Sequence, residues 1–278
     1  MDLNPQAAQM ADESMVRTLD AQARAIWPQE SALFRRYSLP AQPSILDAGC
    51  GTGEIASRVA TLFSQANVLG VDIINEHLER ARERYGHLAP RLDFEHQSIF
   101  ALKCEDAAFD LTLCRHVLHS IPQVERVLDE LVRVTRPGGY LHLIAEDYGM
   151  LHFARGRLDP RDFWHEVPAT MELEHNTDLF IGRNIYGMLA ALGLQEITID
   201  YVVVDTLRVE RETFAAIIEA WRDGYVEAIG EATPVSAELA GEYFNQMIGN
   251  IRDPARYAVW MVPVIAARVS TAAMRERA

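Results

Sequence analysis

The stretch ILDAGCGTGEIA, residues Ile45 to Ala56, decides the reading of this chain. An apolar strand, Ile45–Leu46, runs into Asp47 and then into glycines at every second position, Gly49, Gly51 and Gly53. Ile55, Val59, Leu62 and Phe63 then recur at helical spacing. Glycines at a strand-to-helix turn permit positive φ and let the backbone approach a ligand closely. A ligand is therefore expected at this turn.

Working outward, the alternation continues. Strand Val68–Asp72 precedes a helix from about Asn75 to Tyr85 closed by Gly86, and strand Leu92–His96 follows. Strand Phe109–Cys114 leads to a helix with Val124, Val127, Leu128, Leu131 and Val132 on one face. The turn Arg136-Pro-Gly-Gly139 then delivers strand Tyr140–Glu146. Such alternation predicts right-handed crossovers and a largely parallel sheet covered on both faces.

Tyr148 to Asp178 has no clean periodicity and is rich in His, Arg, Asp and aromatic residues, so it reads as a loop or lid. Helix 179–192, strand Glu196–Val204, helices at about 210–230 and 236–251, and strand Tyr257–Val269 complete the pattern. Ahead of Pro40, apolar positions between Ser14 and Tyr37 suggest two helices broken near Pro28. The expected fold is a seven-stranded, mostly parallel Rossmann-like α/β sheet. Residues 1–40 form an N-terminal helical cap and 41–278 the main domain, with core motifs over 44–146 and a helical insertion at about 207–253.

Lys+Arg 26 against Asp+Glu 40 gives a net charge of −14, which opposes the counterion release that holds nucleic acid. Cys50, Cys104 and Cys114 have no paired spacing, so neither a disulfide framework nor a zinc site is expected, and the reducing cytoplasm is the simplest setting. No basic segment followed by an apolar run opens the chain, and no stretch approaches a membrane span. No nucleic-acid or membrane partner is expected. A homodimer is an open alternative to the monomer.

In open parallel sheets ligands sit beyond the carboxyl ends of the strands, so Asp47, Asp72, Ser98 and Arg115 should converge there. A dinucleotide fingerprint read from Gly49 would need glycine where Glu54 stands; read from Gly51, it ends at Ala56 and remains open as a nicotinamide-dependent oxidoreductase alternative. Glu54 beside a pyrophosphate would be repelled, so a cofactor without phosphates is preferred. Asp47 suits a cationic amino acid end and Asp72 the hydroxyls of a ribose.

ILDAGCGTGEIA, VLGVDI, FDLTLCRHVLHSIP and VLDELVRVTRPGGYLHLI, in this order and spacing, resemble the motifs of class I S-adenosylmethionine-dependent methyltransferases of the small-molecule type, over about Ser44 to Glu146. The resemblance implies S-adenosyl-L-methionine as cofactor. It places Gly49, Gly51 and Gly53 under the methionine part, Asp72 on the ribose, Ile73 against the adenine and the Arg115 main chain at the amino group. Where the family often has an acid that accepts from the adenine amino group, this chain has Gln97-Ser98, so Ser98 and Ile99 are the adenine contacts.

The acceptor is expected to be a small molecule methylated on oxygen or nitrogen. A base is then useful, and the histidines near strand ends are candidates. His119 is the first choice and His152 the second. A cofactor-binding sensor or partner subunit of the same fold, without catalysis, is the alternative.

Overall fold

The computed structural model describes residues 12–270. Eight strands form one sheet: β1 Ser44–Ala48, β2 Asn67–Asp72, β3 Leu92–His96, β4 Phe109–Arg115, β5 Thr135–Ile144, β6 Leu151–Phe153, β7 Gln195–Asp205 and β8 Ala258–Arg268. Their order is β3-β2-β1-β4-β5-β8-β6, with β7 on the far side of β8. The first five are parallel, and β8 runs antiparallel to β5, β6 and β7. The sheet has one strand more than the seven expected. That strand, β6, is three residues on β8, from Leu151 opposite Trp260 to Phe153 opposite Ala258, too short to carry an alternation pattern.

Both faces of the parallel half are covered, which is why β1 and β4 read as apolar runs: Ile45, Leu46, Leu111 and Leu113 have no exposed surface. The helices are α1 Glu13–Glu30, α2 Glu54–Leu62, α3 Asn75–Tyr85, α4 Val124–Val134, α5 Pro160–His175, α6 Ile181–Ala191, α7 Arg211–Ala232 and α8 Ala237–Arg252. On α4 the face that carries Val127, Leu128 and Leu131 is wholly buried, worth about 1.5–3 kcal/mol for each side chain. None of the described helices is long and apolar enough to cross a membrane.

Two local expectations are corrected. The N-terminal segment is one helix, not two: Pro28 sits in the last turn of α1, where it removes a single amide donor, and Ser31 N–H still reaches Trp27 O at 2.9 Å. A short 3-10 turn, Leu33–Arg36, follows. The supposed irregular loop at 148–178 contains β6 and the sixteen-residue helix α5. Asp159 caps α5 by accepting from Arg161 N–H, and Pro160 occupies its first turn. Phe163, Trp164, Val167 and Met171 line its buried face, but Pro168 and a high density of charge obscure that periodicity in the sequence.

Helix α1 is tied into the rest by buried chemistry. Glu30, at its end, is completely buried and accepts from Arg115 Nε and Nη2, each at 2.7 Å. His142 Nε2 lies 2.9 Å from the same carboxylate, and His142 Nδ1 lies 2.6 Å from the Tyr37 hydroxyl. Phe34 stacks on the His142 ring at 4.3 Å. Ala21, Ala25 and Ile26 share a core with Phe214, Ala215 and Ile218 of α7. The helices cross closely at Gly224, where a Cβ would meet Ser14 Oγ at 2.8 Å.

Removing one partner of a buried pair strands the other charge, which costs about 3–5 kcal/mol. Glu30→Ala should therefore lower the unfolding free energy by about that amount in urea titrations, while Arg17→Ala, which breaks a half-exposed pair with Asp223, should change it much less. Although burial opposes it, the guanidinium of Arg115 and the bonds from His142 hold the Glu30 carboxyl at about 2, below its usual 4.5. This folded-state value is depressed, so its contribution is full above pH 4.5 and is lost as pH falls from there toward 2. A Glu30→Ala protein within 1 kcal/mol of wild type at pH 7 would refute this role.

Candidate functional site

The glycine turn takes the conformation its residues permit. Gly49, Gly51 and Gly53 have φ of +77°, +52° and +76°. Gly49 and Cys50 donate to Val71 O, which docks the turn on the end of β2. Asp72 completes the clamp: its Oδ2 accepts from Gly51 N–H at 2.7 Å and its Oδ1 from Ile74 N–H at 3.0 Å. A Cβ at Gly49 would come within 2.6 Å of Val117, and one at Gly51 within 2.9 Å of Leu19 on α1. Gly53 plays a different part, as the N-cap of α2 packed against Phe94.

A cavity of about 680 Å³, counted out to its mouth, opens beyond these strand ends. Gly49, Gly51, Asp72, Ile73, Ser98 and Ile99 line it together with Arg115. The turn, the ends of β2 and β4 and the segment after β3 thus bring these seven sequence-selected residues to one place. Leu19 of α1 forms part of its wall, a contribution that needs the tertiary contact to be seen. Ser98 Oγ already accepts from Phe100 N–H at 3.3 Å, and Gln97 Oε1 accepts from Lys103 N–H at 2.8 Å.

Asp47 lines a smaller recess beside it, shared with Gly49, Thr52, Arg115 and His116. Its side chain is buried, and Oδ2 has no hydrogen-bond partner among the described residues; Thr52 Oγ1 nearby is in the same condition. Burial pushes the Asp47 carboxyl up to about 7, against the pull of Arg115 and with the charges of Asp72 and Glu30 adding to the rise. An orphaned carboxylate of this kind gains most from a cationic ligand group. Burial also pushes the Cys50 thiol well above its usual range, which removes it as a nucleophile near neutral pH.

The end of β5 supplies a residue that sequence reasoning missed. Glu146 is completely buried and faces two imidazoles: His116 Nδ1 is hydrogen-bonded to its Oε1, and His119 Nδ1 lies 2.7 Å from its Oε2. The second contact is off the line of a good hydrogen bond and is chiefly electrostatic. Both histidines hold the carboxyl far below its usual range despite its burial. His116 reaches this position through a left-handed backbone, φ +58°, just past β4. Its only sequence signal is an acid one strand-length after the Arg-Pro-Gly-Gly turn.

Glu146 stands between two cavities. His116 lines the glycine-turn cavity, whereas His119 lines a second chamber walled by α5, α7 and α8. His119 Nε2 lies 3.5 Å from the Tyr148 hydroxyl. His152, the second candidate base, is exposed on β6 and lines neither cavity.

The family description of a methyltransferase domain matches residues 46–143. The chain is 37% identical over 107 residues to 27-O-demethylrifamycin SV methyltransferase of Amycolatopsis mediterranei, covering 38% of this chain and 39% of that one. It spans under two thirds of the length of the curated relatives it matches, between 35% and 61%. Among solved structures, phosphoethanolamine N-methyltransferase 2 of Haemonchus contortus, in complex with S-adenosyl-L-methionine, superposes with a TM-score of 0.62 at 16% identity, over 98% of this chain and 60% of that one. The [4+2]-cyclase SpnF superposes with a TM-score of 0.57 at 20% identity, over 89% and 85%. Residues 46–143 therefore match a methyltransferase domain, and the chain as a whole has the Rossmann-like fold of these solved structures.

Proposed function

We propose that the chain binds S-adenosylmethionine in the glycine-turn cavity and transfers its methyl group to a small-molecule acceptor seated in the second chamber. The observation that carries this reading is the orphaned Asp47 carboxylate beside a left-handed glycine cradle, with Asp72 at the next strand end. When bound, the cofactor supplies a methyl group on a positively charged sulfur, activated toward displacement by a lone pair.

Asp47 and Thr52 would receive the amino acid end, Gly49 and Gly51 would run under it, Asp72 would accept from the ribose, and Ile73, Ser98 and Ile99 would border the adenine. Asp72 has a second duty, because its carboxylate also fixes the turn through Gly51 and Ile74. Asp72→Ala would thus disturb the loop together with the ligand contact. The Arg115 side chain is committed to Glu30, which leaves its main chain to face the cofactor.

Methyl transfer needs alignment and exclusion of water more than strong acid or base. Where the acceptor atom bears a proton, His119 is placed to take it at Nε2, the nitrogen turned away from Glu146. Glu146 positions the ring and offsets the positive charge it acquires. The named relatives act on small molecules, and a net charge of −14 disfavours a nucleic-acid acceptor. The likeness to a [4+2]-cyclase favours one other reading, another reaction on the same fold, so the decisive product is one heavier by a single methyl.

Because the Asp47 carboxyl stands near 7 in the free protein, it must lose a proton before it can pair with a cationic amino group. The affinity for S-adenosylhomocysteine should rise as pH increases from 5.5, by up to about tenfold per unit, and level off above 7. Asp47→Asn should flatten this profile, as calorimetric titration at several pH values would reveal. A wild-type affinity constant from pH 5.5 to 8 would remove Asp47 from this role.

His119→Ala should reduce kcat by about 10²–10⁴ at saturating acceptor and leave S-adenosylhomocysteine affinity nearly unchanged. Glu146→Gln should also lower kcat more than it raises the acceptor KM. Steady-state kinetics check both. Wild-type turnover in His119→Ala would leave alignment alone as the source of the rate.

A further inference from the structure

The second chamber has a chemistry of its own, which specifies what it can hold. The space, counted out to its open mouth, is about 530 Å³. Six of the twelve residues in its wall are aromatic: Tyr148, Phe163, Trp164, Trp221, Tyr225 and Phe244. Tyr148 and Trp164 stack at 5.4 Å and 16°, and Trp221 stands nearly edge-on to both. Where this cluster borders the chamber it offers ring faces and edges to a planar ring system, which favours stacked or edge-to-face contact.

Charge narrows the choice. Among the described residues, no Lys, Arg, Asp or Glu side chain lines the chamber. An anionic acceptor would find no counter-charge in the walls, and at the His119 end it would meet the buried Glu146 carboxylate behind the ring. A cationic acceptor would gain ring-face attraction, yet it would surrender its water in an apolar chamber whose nearest carboxylate already faces two imidazoles. The polar features that remain suit a neutral molecule. His119 and the Tyr148 hydroxyl sit together at one end, and the Trp164 indole nitrogen is buried without a partner among the described residues.

We infer that the chamber is the binding site for an uncharged, planar aromatic acceptor bearing a hydroxyl group, held with its ring against the cluster of Tyr148, Trp164 and Trp221 and its hydroxyl toward His119. The inference deepens the methyl-transfer reading and rests on it for the word acceptor, but ring binding can be measured without any methyl donor. Specificity then lies in α5 and α7, outside the glycine-turn half of the fold.

Trp164 and Trp221 in the walls supply the readout, because a ring that enters the chamber must change indole fluorescence. The probes are 1-naphthol, 1-naphthyl phosphate and naphthylmethyl-trimethylammonium, which share a ring and differ in charge. On the full chain, 1-naphthol should bind at least tenfold more tightly than either charged probe. Met171→Trp on α5 and Ile229→Phe on α7, which fill the chamber from different helices, should each weaken 1-naphthol at least tenfold. Equal or tighter binding of a charged probe to the wild-type protein would overturn the inference without recourse to any variant. Unchanged 1-naphthol binding in a folded filling variant would do the same. S-adenosylhomocysteine titration of the same samples separates the two claims: a protein that takes 1-naphthol but not S-adenosylhomocysteine contradicts the proposed function and leaves the aromatic site standing.

Discussion

A single buried carboxylate fixes how the two halves of this molecule meet. Glu30 ends α1 with no access to water, and it remains charged because Arg115, at the end of β4, approaches it through two nitrogens at 2.7 Å. A carboxylate this deep is tolerable only when it is paired and hydrogen-bonded. That requirement brings α1 over the carboxyl ends of the strands. Leu19 then forms part of the glycine-turn cavity wall, and the other side of α1 packs on α7, which walls the second chamber. The pair also commits the Arg115 side chain to structure.

The candidate site itself depends on strand ends more than on any one motif. The turn after β1 is docked on Val71 and Asp72 of β2, and the histidines past β4 are gathered by Glu146 past β5. Parallel strands place these four ends side by side. Glu146 is the element that joins one cavity to the other, since its two oxygens face imidazoles that line different spaces. The aromatic chamber thus differs in chemistry from the neighbouring crevice, which carries Asp72 and the glycine turn.

Much of this was legible in the sequence. The glycine turn, Asp72 and the strands through β5 carry strong local signals: period, turn residues and apolar runs. Seven of the residues chosen from them line one cavity and Asp47 sits in the recess beside it, whereas Gly53 lines neither and caps α2. What escaped was set by the place of a proline within its helix or by distant partners. Pro28 ends no helix because it falls in a last turn, and α5 was hidden by Pro168 and its charges. His152 and His119 both follow strands, but β6 carries the first outward on the sheet while the second turns inward to Glu146, a difference only the pairing of β6 with β8 decides. Glu146 and Glu30 look like ordinary surface acids until their partners are known.

A crystal structure with S-adenosylhomocysteine would reveal whether the crevice over the glycine turn holds S-adenosylmethionine. The amino group of the ligand is expected within hydrogen-bond reach of Asp47 Oδ2, its ribose hydroxyls at Asp72 and its sulfur directed toward the side of His116 and Glu146. An adenosine seated in the aromatic chamber, or a ligand lying on the turn with Asp47 still unpaired, would contradict this placement.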